Sequence, residues 1–160
     1  EEFEELNAEL LGLSVDRVHS HIKWTEWIEE NLDVDIQFPI IADDQGSVGK
    51  RLGMIHPNAG TSTVRSVFLI DPEGTVRIVL TYPMEIGRNI DEILRSLRAL
   101  QMSDEEGVAA PADWPENEKF GDRVLLSPPG TDADAQERKA EAEDDDELDY
   151  YDWWFVTKQQ

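Results

Sequence analysis

TVRSVFLIDPEGTVRIVLTY, residues 63–82, decides the fold. Residues 64–70 carry apolar side chains on both faces of an extended chain, which predicts a strand with neighbours on both sides, central in its sheet. Asp71-Pro72-Glu73-Gly74 places Pro second and Gly fourth, the preference of a type I turn. Residues 76–81 (VRIVLT) then return as the antiparallel partner. Arg65 interrupts the first strand near its start. A guanidinium in an otherwise apolar strand has to be paired or placed in a pocket, because an unpaired buried charge costs several kcal/mol. An ion pair with one of the many carboxylates and an anion-facing site both satisfy that demand.

Outward from the hairpin, strands alternate with helices, the pattern of an α/β fold. Downstream, residues 89–102 form an amphipathic helix whose apolar stripe is Ile90, Ile93, Leu94, Leu97 and Leu100. Upstream, FPIIAD (38–43) reads as a short apolar strand, followed by a small helix over 47–52 that stops at Gly53. LLGLSV (10–15) reads as a buried strand closed by Asp16, which is available near the start of a helix over 18–31. Val18, Ile22, Ile28 and Leu32 fall on one arc of that helix at 100° per residue. Trp24 and Trp27 lie off the arc, either packing on a neighbouring element or forming the wall of a pocket. The opening run EEFEELNAEL is acidic and amphipathic and has no initiator Met, so it reads as the end of a helix that begins earlier.

Composition changes at Ser103. From there the chain carries Pro111, Pro115, Pro128 and Pro129, a charged stretch DADAQERKAEAEDDDELD, and a final YYDWWFV (150–156) too aromatic to be left in water. The expectation is an extended arm that cannot fold alone and docks through its aromatic end, most simply on a second copy of the chain.

The 160 residues hold 36 acidic and 14 basic side chains, a formal charge of −22. Such a surface repels polyanions, which argues against nucleic acid and anionic membranes as partners. Acid is in excess on both sides of Met102, with 18 Asp and Glu on each, and Arg outnumbers Lys nine to five. That balance suits a cytosol rich in salt, where screening relieves self-repulsion, so a halophilic cytoplasmic protein is expected. No stretch has the length of a membrane helix, and no basic-then-apolar leader is visible. With no Cys in the sequence, these residues supply neither disulfides nor thiol chemistry. His19 and His21 are about 200° apart on a helix and cannot chelate one metal together. His21, on the apolar arc, reads as a satisfied core histidine, and His56 stands apart from both. GSVGKR (46–51) has neither the glycine spacing nor the Ser or Thr of a phosphate loop. Asp43-Asp44 and the acids at 141–149 read as solvated carboxylates. No metal site and no cofactor are expected.

Several strings carry a resemblance: LLGLSVD with HIKWTEWIEE, FPIIAD with GSVGKRLGM, TVRSVFLIDPEGTVR, YPMEIGRNIDEILR, PADWPENE and DYYDWWF. Together they resemble, nearly end to end, the archaeal peroxiredoxins of the one-Cys class. That resemblance implies an α/β thioredoxin-like fold, incomplete at its N-terminus, over residues 1–102, and a C-terminal dimerisation domain over residues 103–160. It implies a thiol-dependent peroxidase, in which a cysteine thiolate attacks a peroxide oxygen and becomes a sulfenic acid. The cysteine would belong to a Pro-Val-Cys-Thr segment upstream of Glu1. Arg65 matches the family's active-site arginine, which stabilises the thiolate and the charge developing on the peroxide. Arg88, in MEIGR, corresponds to a second arginine near the pocket, and Trp27 and Trp153 match aromatics that line it. Where archaeal members often carry resolving cysteines, this sequence has Tyr150 and Val156, which implies a one-Cys cycle with an external thiol reductant. A homodimer is implied, with a ring of dimers as the larger alternative.

Two other readings of the 160 residues remain beside the peroxidase. A non-catalytic scaffold would keep the dimer-forming surfaces without the thiol, and an acidic module would bind cations loosely. By either of the first two readings the chain alone is inactive.

Overall fold

The computed structural model describes residues 1–55 and 63–160; His56 lies outside the described residues. The chain forms two compact units, residues 1–89 and residues 90–160.

The first unit opens with helix α1 (Glu2–Glu5), a single turn ending at Leu6. Strand β1 (Gly12–Ser14) follows, then α2 (Val18–Leu32), β2 (Ile40–Ala42) and α3 (Ser47–Arg51). β1 and β2 pair in parallel, Gly12 opposite Ile40 and Ser14 opposite Ala42, with α2 as the crossover a parallel pair requires. Glycine at position 12 lets the strands close up: a Cβ there would lie 3.2 Å from Ile40 Cγ1 and 3.3 Å from the Phe38 ring.

The hairpin is β3 (Arg65–Ile70) with β4 (Val76–Tyr82), antiparallel, Arg65 opposite Tyr82. Asp71 O accepts from Gly74 N at 2.9 Å, and Asp71 Oδ1 accepts from Thr75 N at 2.7 Å. Gly74, the last residue of the turn, takes φ +84°, a left-handed bend that glycine adopts readily, and the ladder register shifts between Leu69 and Ile70.

Three expectations for this unit are corrected. The strand at 10–15 shrinks to three half-buried residues, with Leu10 and Leu11 exposed. β3 has one ladder neighbour, β4, among the described residues, and is half-buried rather than central. Asp16 does not cap α2: the cap position is Arg17, without a side-chain bond, while Asp16 accepts from the Ser14 hydroxyl at 3.0 Å. The apolar arc of α2 is only partly covered, since Val18, Ile22 and Leu32 are all exposed.

The second unit begins with α4 (Ile90–Glu106), which continues four residues past the expected end at Met102, stopping where Gly107 takes φ +68°. Ile93 and Leu94 of the stripe are buried, and Ile90 is exposed. Then come β5 (Val108–Ala109), β6 (Val124–Leu126), α5 (Asp132–Asp144), β7 (Leu148–Asp152) and β8 (Phe155–Lys158). The four strands form one antiparallel sheet in the order β5-β6-β8-β7.

The expected extended arm is therefore a folded unit. Its core is Met102, Val108, Trp114 and Val124, with Ala99, Ala110 and Leu126 against it. The buried Trp114 indole donates Nε1–H to Asp122 O at 2.8 Å, satisfying its polar edge. The acidic stretch folds as α5, capped by Thr131 Oγ1 accepting from Asp134 N at 3.2 Å, with no residue buried. YYDWWFV forms most of the β7–β8 hairpin, whose rings pack with Phe120: Phe120 meets Phe155 edge-on at 5.6 Å and Tyr151 at 5.8 Å.

Arg123, just before β6, ties this sheet together. Its Nε donates to Thr157 Oγ1 at 2.9 Å, one Nη to Thr157 O at 3.0 Å and Glu147 O at 2.7 Å, and Nε faces Asp149 Oδ2 at 2.9 Å.

Candidate functional site

Arg65 is the first residue of β3, and its position there follows from the hairpin register. The side chain is half-buried. Its Nε donates to Met84 O at 3.1 Å, which fixes the guanidinium against the segment leaving β4. A guanidinium carries five N–H groups. Among the described residues no bond engages the two Nη groups, and no carboxylate pairs with the charge. Of the two arrangements the sequence left open, the ion pair is absent among the described residues, which leave a positioned cation with donors to spare. Met84 and Ile86, in the turn closed by Ile86 N donating to Pro83 O at 3.2 Å, are 53% and 55% exposed.

Arg88 lies four residues past Met84 and is exposed. Trp27 is on α2, 51% exposed, with no hydrogen bond or ring contact to Arg65. Trp153 belongs to the second unit, where with Tyr150 it lines a recess of about 470 Å³ beside Thr131 at the start of α5 and Lys139 in its middle. Arg65, Arg88 and Trp27 thus share the first unit, and Trp153 sits in the other.

His21 is satisfied as expected, though half-buried rather than in a core: its Nε2 lies 2.6 Å from Ser14 Oγ. Because the Ser14 hydroxyl spends its single hydrogen on Asp16 Oδ2, the imidazole must be the donor to Ser14. A serine activated for attack needs the reverse, an imidazole that accepts its proton. This His-Ser-Asp chain is therefore structural. It borders a recess of about 230 Å³ lined by Val18, Ile22, Thr25, Phe38 and Ile40.

Asp43, expected as a solvated carboxylate, is buried instead. Its Oδ1 accepts from Ser47 N at 2.8 Å, Ser47 Oγ at 3.1 Å and Val48 N at 3.2 Å, and its Oδ2 from Gly49 N at 2.7 Å. The bond from Gly49, with those from Val48 and Ser47, holds the carboxyl below its ordinary range against the opposing effect of burial. This carboxylate satisfies the free amides at the start of α3, so its role there is that of a cap. The serine four residues on was the sequence signal for that cap. In the second unit, the Arg95 guanidinium lowers the Glu92 carboxyl by hydrogen bonding it, and Arg95 Nη1 reaches Trp114 O at 3.3 Å. Nothing in the spacing singled out that tie.

Residues 1–79 match the AhpC/TSA family, and residues 99–141 match the C-terminal domain of 1-Cys peroxiredoxin. A peroxiredoxin of Archaeoglobus fulgidus is 57% identical over 158 residues, covering 99% of this chain and 73% of its own length. This chain belongs to the peroxiredoxin family. A peroxiredoxin of Thermotoga maritima is 56% identical, with 99% of this chain and 72% of the relative covered. Among solved structures, the yeast mitochondrial 1-Cys peroxiredoxin, described with its glutathione/thioredoxin thiol-resolving mechanism, matches with TM-score 0.81 and 36% identity over 99% of this chain and 74% of that one. A cysteine mutant of peroxiredoxin 6 of Arenicola marina matches with TM-score 0.79 and 31% identity, with the same two coverages. The fold is the thioredoxin-like peroxiredoxin fold with a C-terminal 1-Cys peroxiredoxin domain. This peroxiredoxin sequence contains no cysteine, the residue on which the family's chemistry turns.

Proposed function

We propose that these residues supply the peroxide-handling part of a thiol-dependent peroxidase, acting on hydrogen peroxide and organic hydroperoxides with an external thiol as reductant. The observation that carries this reading is Arg65: a guanidinium anchored through Nε to Met84 O, with its Nη donors unspent among the described residues. Two such donors stabilise a thiolate and the charge that grows on oxygen as an O–O bond breaks. Arg88 adds a second positive group on the same unit. By the family resemblance, Trp27 on the same unit supplies an apolar wall that keeps water from competing.

The attacking sulfur has to come from outside these 160 residues, by the Pro-Val-Cys-Thr segment of the family. Residues 1–102 serve as the catalytic part and residues 103–160 as the dimerisation part, whose exposed Tyr151, Trp153 and Trp154 offer apolar area to a second copy. A cytoplasmic, haloarchaeal-type protein accords with the −22 charge, and among the described residues no helix is long and apolar enough to cross a membrane. The complete absence of Cys favours a second reading, a dimer-forming scaffold without catalysis.

Peroxide consumption with a thiol reductant separates the two. The 160-residue chain alone turns nothing over. Joined to the cysteine-bearing segment of the Archaeoglobus fulgidus relative, it consumes peroxide, and Arg65→Gln in that protein lowers kcat/KM by about 10²–10³. An Arg65→Gln variant as active as its parent would remove the basis of the reading.

A further inference from the structure

Sulfur in these residues is confined to three methionines, since Cys is absent. Met54 and Met102 are each 6% exposed, whereas Met84 is 53% exposed. Met84 is also the residue whose carbonyl holds the Arg65 guanidinium, at 3.1 Å. Its thioether therefore stands within one side chain's reach of the cation that, on the reading above, binds peroxide.

We propose that Met84 is a peroxide-oxidisable site, converted to methionine sulfoxide with the assistance of Arg65. The sulfur lone pair attacks the peroxide oxygen that bears hydrogen, the O–O bond breaks, and the other oxygen leaves as hydroxide or alkoxide that receives, relayed through water, the proton shed by the oxygen now bound to sulfur. Sulfur is oxidised by two electrons, and the peroxide is reduced to water or an alcohol. The Arg65 Nη groups donate to the departing oxygen, as they would in attack by a thiolate. Oxidation replaces an apolar side chain with a polar one in the exposed turn that also carries Ile86. The change is reversible by methionine sulfoxide reductases, so the turn can report peroxide and be reset. Met54 and Met102 react only when the structure around them opens.

The test treats the 160-residue chain with hydrogen peroxide and follows each methionine by peptide mass spectrometry. Met84 should gain one oxygen at least about tenfold faster than Met54 and Met102, the difference that burial imposes. Equal rates at the three positions overturn the proposal. In Arg65→Gln, with circular dichroism unchanged, the Met84 rate should fall several-fold towards that of methionine in an unstructured peptide, and Arg65→Lys should restore part of it. An undiminished rate in Arg65→Gln also overturns it. The inference rests on Arg65 handling peroxide, yet its readout needs no cysteine. Peroxidase activity of the cysteine-extended protein that survives while Met84 selectivity fails rejects this inference alone, and loss of Arg65 dependence in both rejects the reading beneath it.

Discussion

Replacing Arg123 with Ala removes a side chain that ties the start of β6 to β8 and to the start of β7. The contributions are unequal. Thr157 is fully buried, and Arg123 donates to its hydroxyl at 2.9 Å and to its carbonyl at 3.0 Å; leaving such buried acceptors short costs about 1–3 kcal/mol. Glu147 O, at 2.7 Å, is replaceable by water and contributes about 0.5–1 kcal/mol. The Asp149 carboxylate is 50% exposed against 17% for the Arg123 side chain, so screening limits that ion pair to about 0–1 kcal/mol. At 3.4 Å the contact to Gln159 adds nothing worth counting. The sum is about 1.5–5 kcal/mol, or a fall in Tm of roughly 6–40 °C for a unit of this size. Urea unfolding followed by tryptophan fluorescence measures it, with Trp114, Trp153 and Trp154 reporting on this unit. Because the largest share is a stranded hydroxyl, Arg123→Ala should cost distinctly less in a Thr157→Val background. A single-variant loss below about 1 kcal/mol, or the same loss in both backgrounds, would refute the account.

Asp43 predicts an acid response. Its folded pKa is lowered, so its contribution is present above the unfolded carboxylate value of about 3.9 and is lost as pH falls through the folded value; hydrogen exchange at Ser47, Val48 and Gly49 should accelerate in that window, and Asp43→Ala should show the fast exchange at pH 7 already. Gly46→Ala should destabilise α3 by about 1–3 kcal/mol, because position 46 has φ +64° and a Cβ there would lie 2.8 Å from Ile55 Cδ1; a thermal melt reads the loss. Met102→Ala, emptying the core of the second unit, should cost about 2–5 kcal/mol in urea unfolding.

The hairpin was legible because its signals are local: an apolar run, an Asp-Pro-Glu-Gly turn and a return strand within twenty residues, all of which the register of Arg65 opposite Tyr82 reproduces. The fold of the second unit was not. Met102, Val108, Trp114 and Val124 come from four separate places along the chain, so no single window of sequence shows a periodic face. α5 buries nothing, and its helix is a matter of propensity and a Thr131 cap rather than of amphipathic pattern. Arg65 stood out because a charge in an apolar strand is conspicuous. Its anchor at the Met84 carbonyl could not be foreseen, since every residue offers a carbonyl and only the geometry selects one. Asp43 shows the opposite error: an acid in an acidic chain looks ordinary until its four donors are counted.

The strand order β5-β6-β8-β7 places β8, the C-terminal strand, between two others. A ribosome therefore delivers β6 and β7 with no partner for each other, and residues 155–158 act as the keystone inserted last. Until they emerge, β7 has no ladder neighbour and the hydrogen-bonding edge of β6 that awaits β8 stays open to any strand nearby, including one from another nascent chain. Losing the final six residues would then split this sheet down its middle instead of trimming its rim.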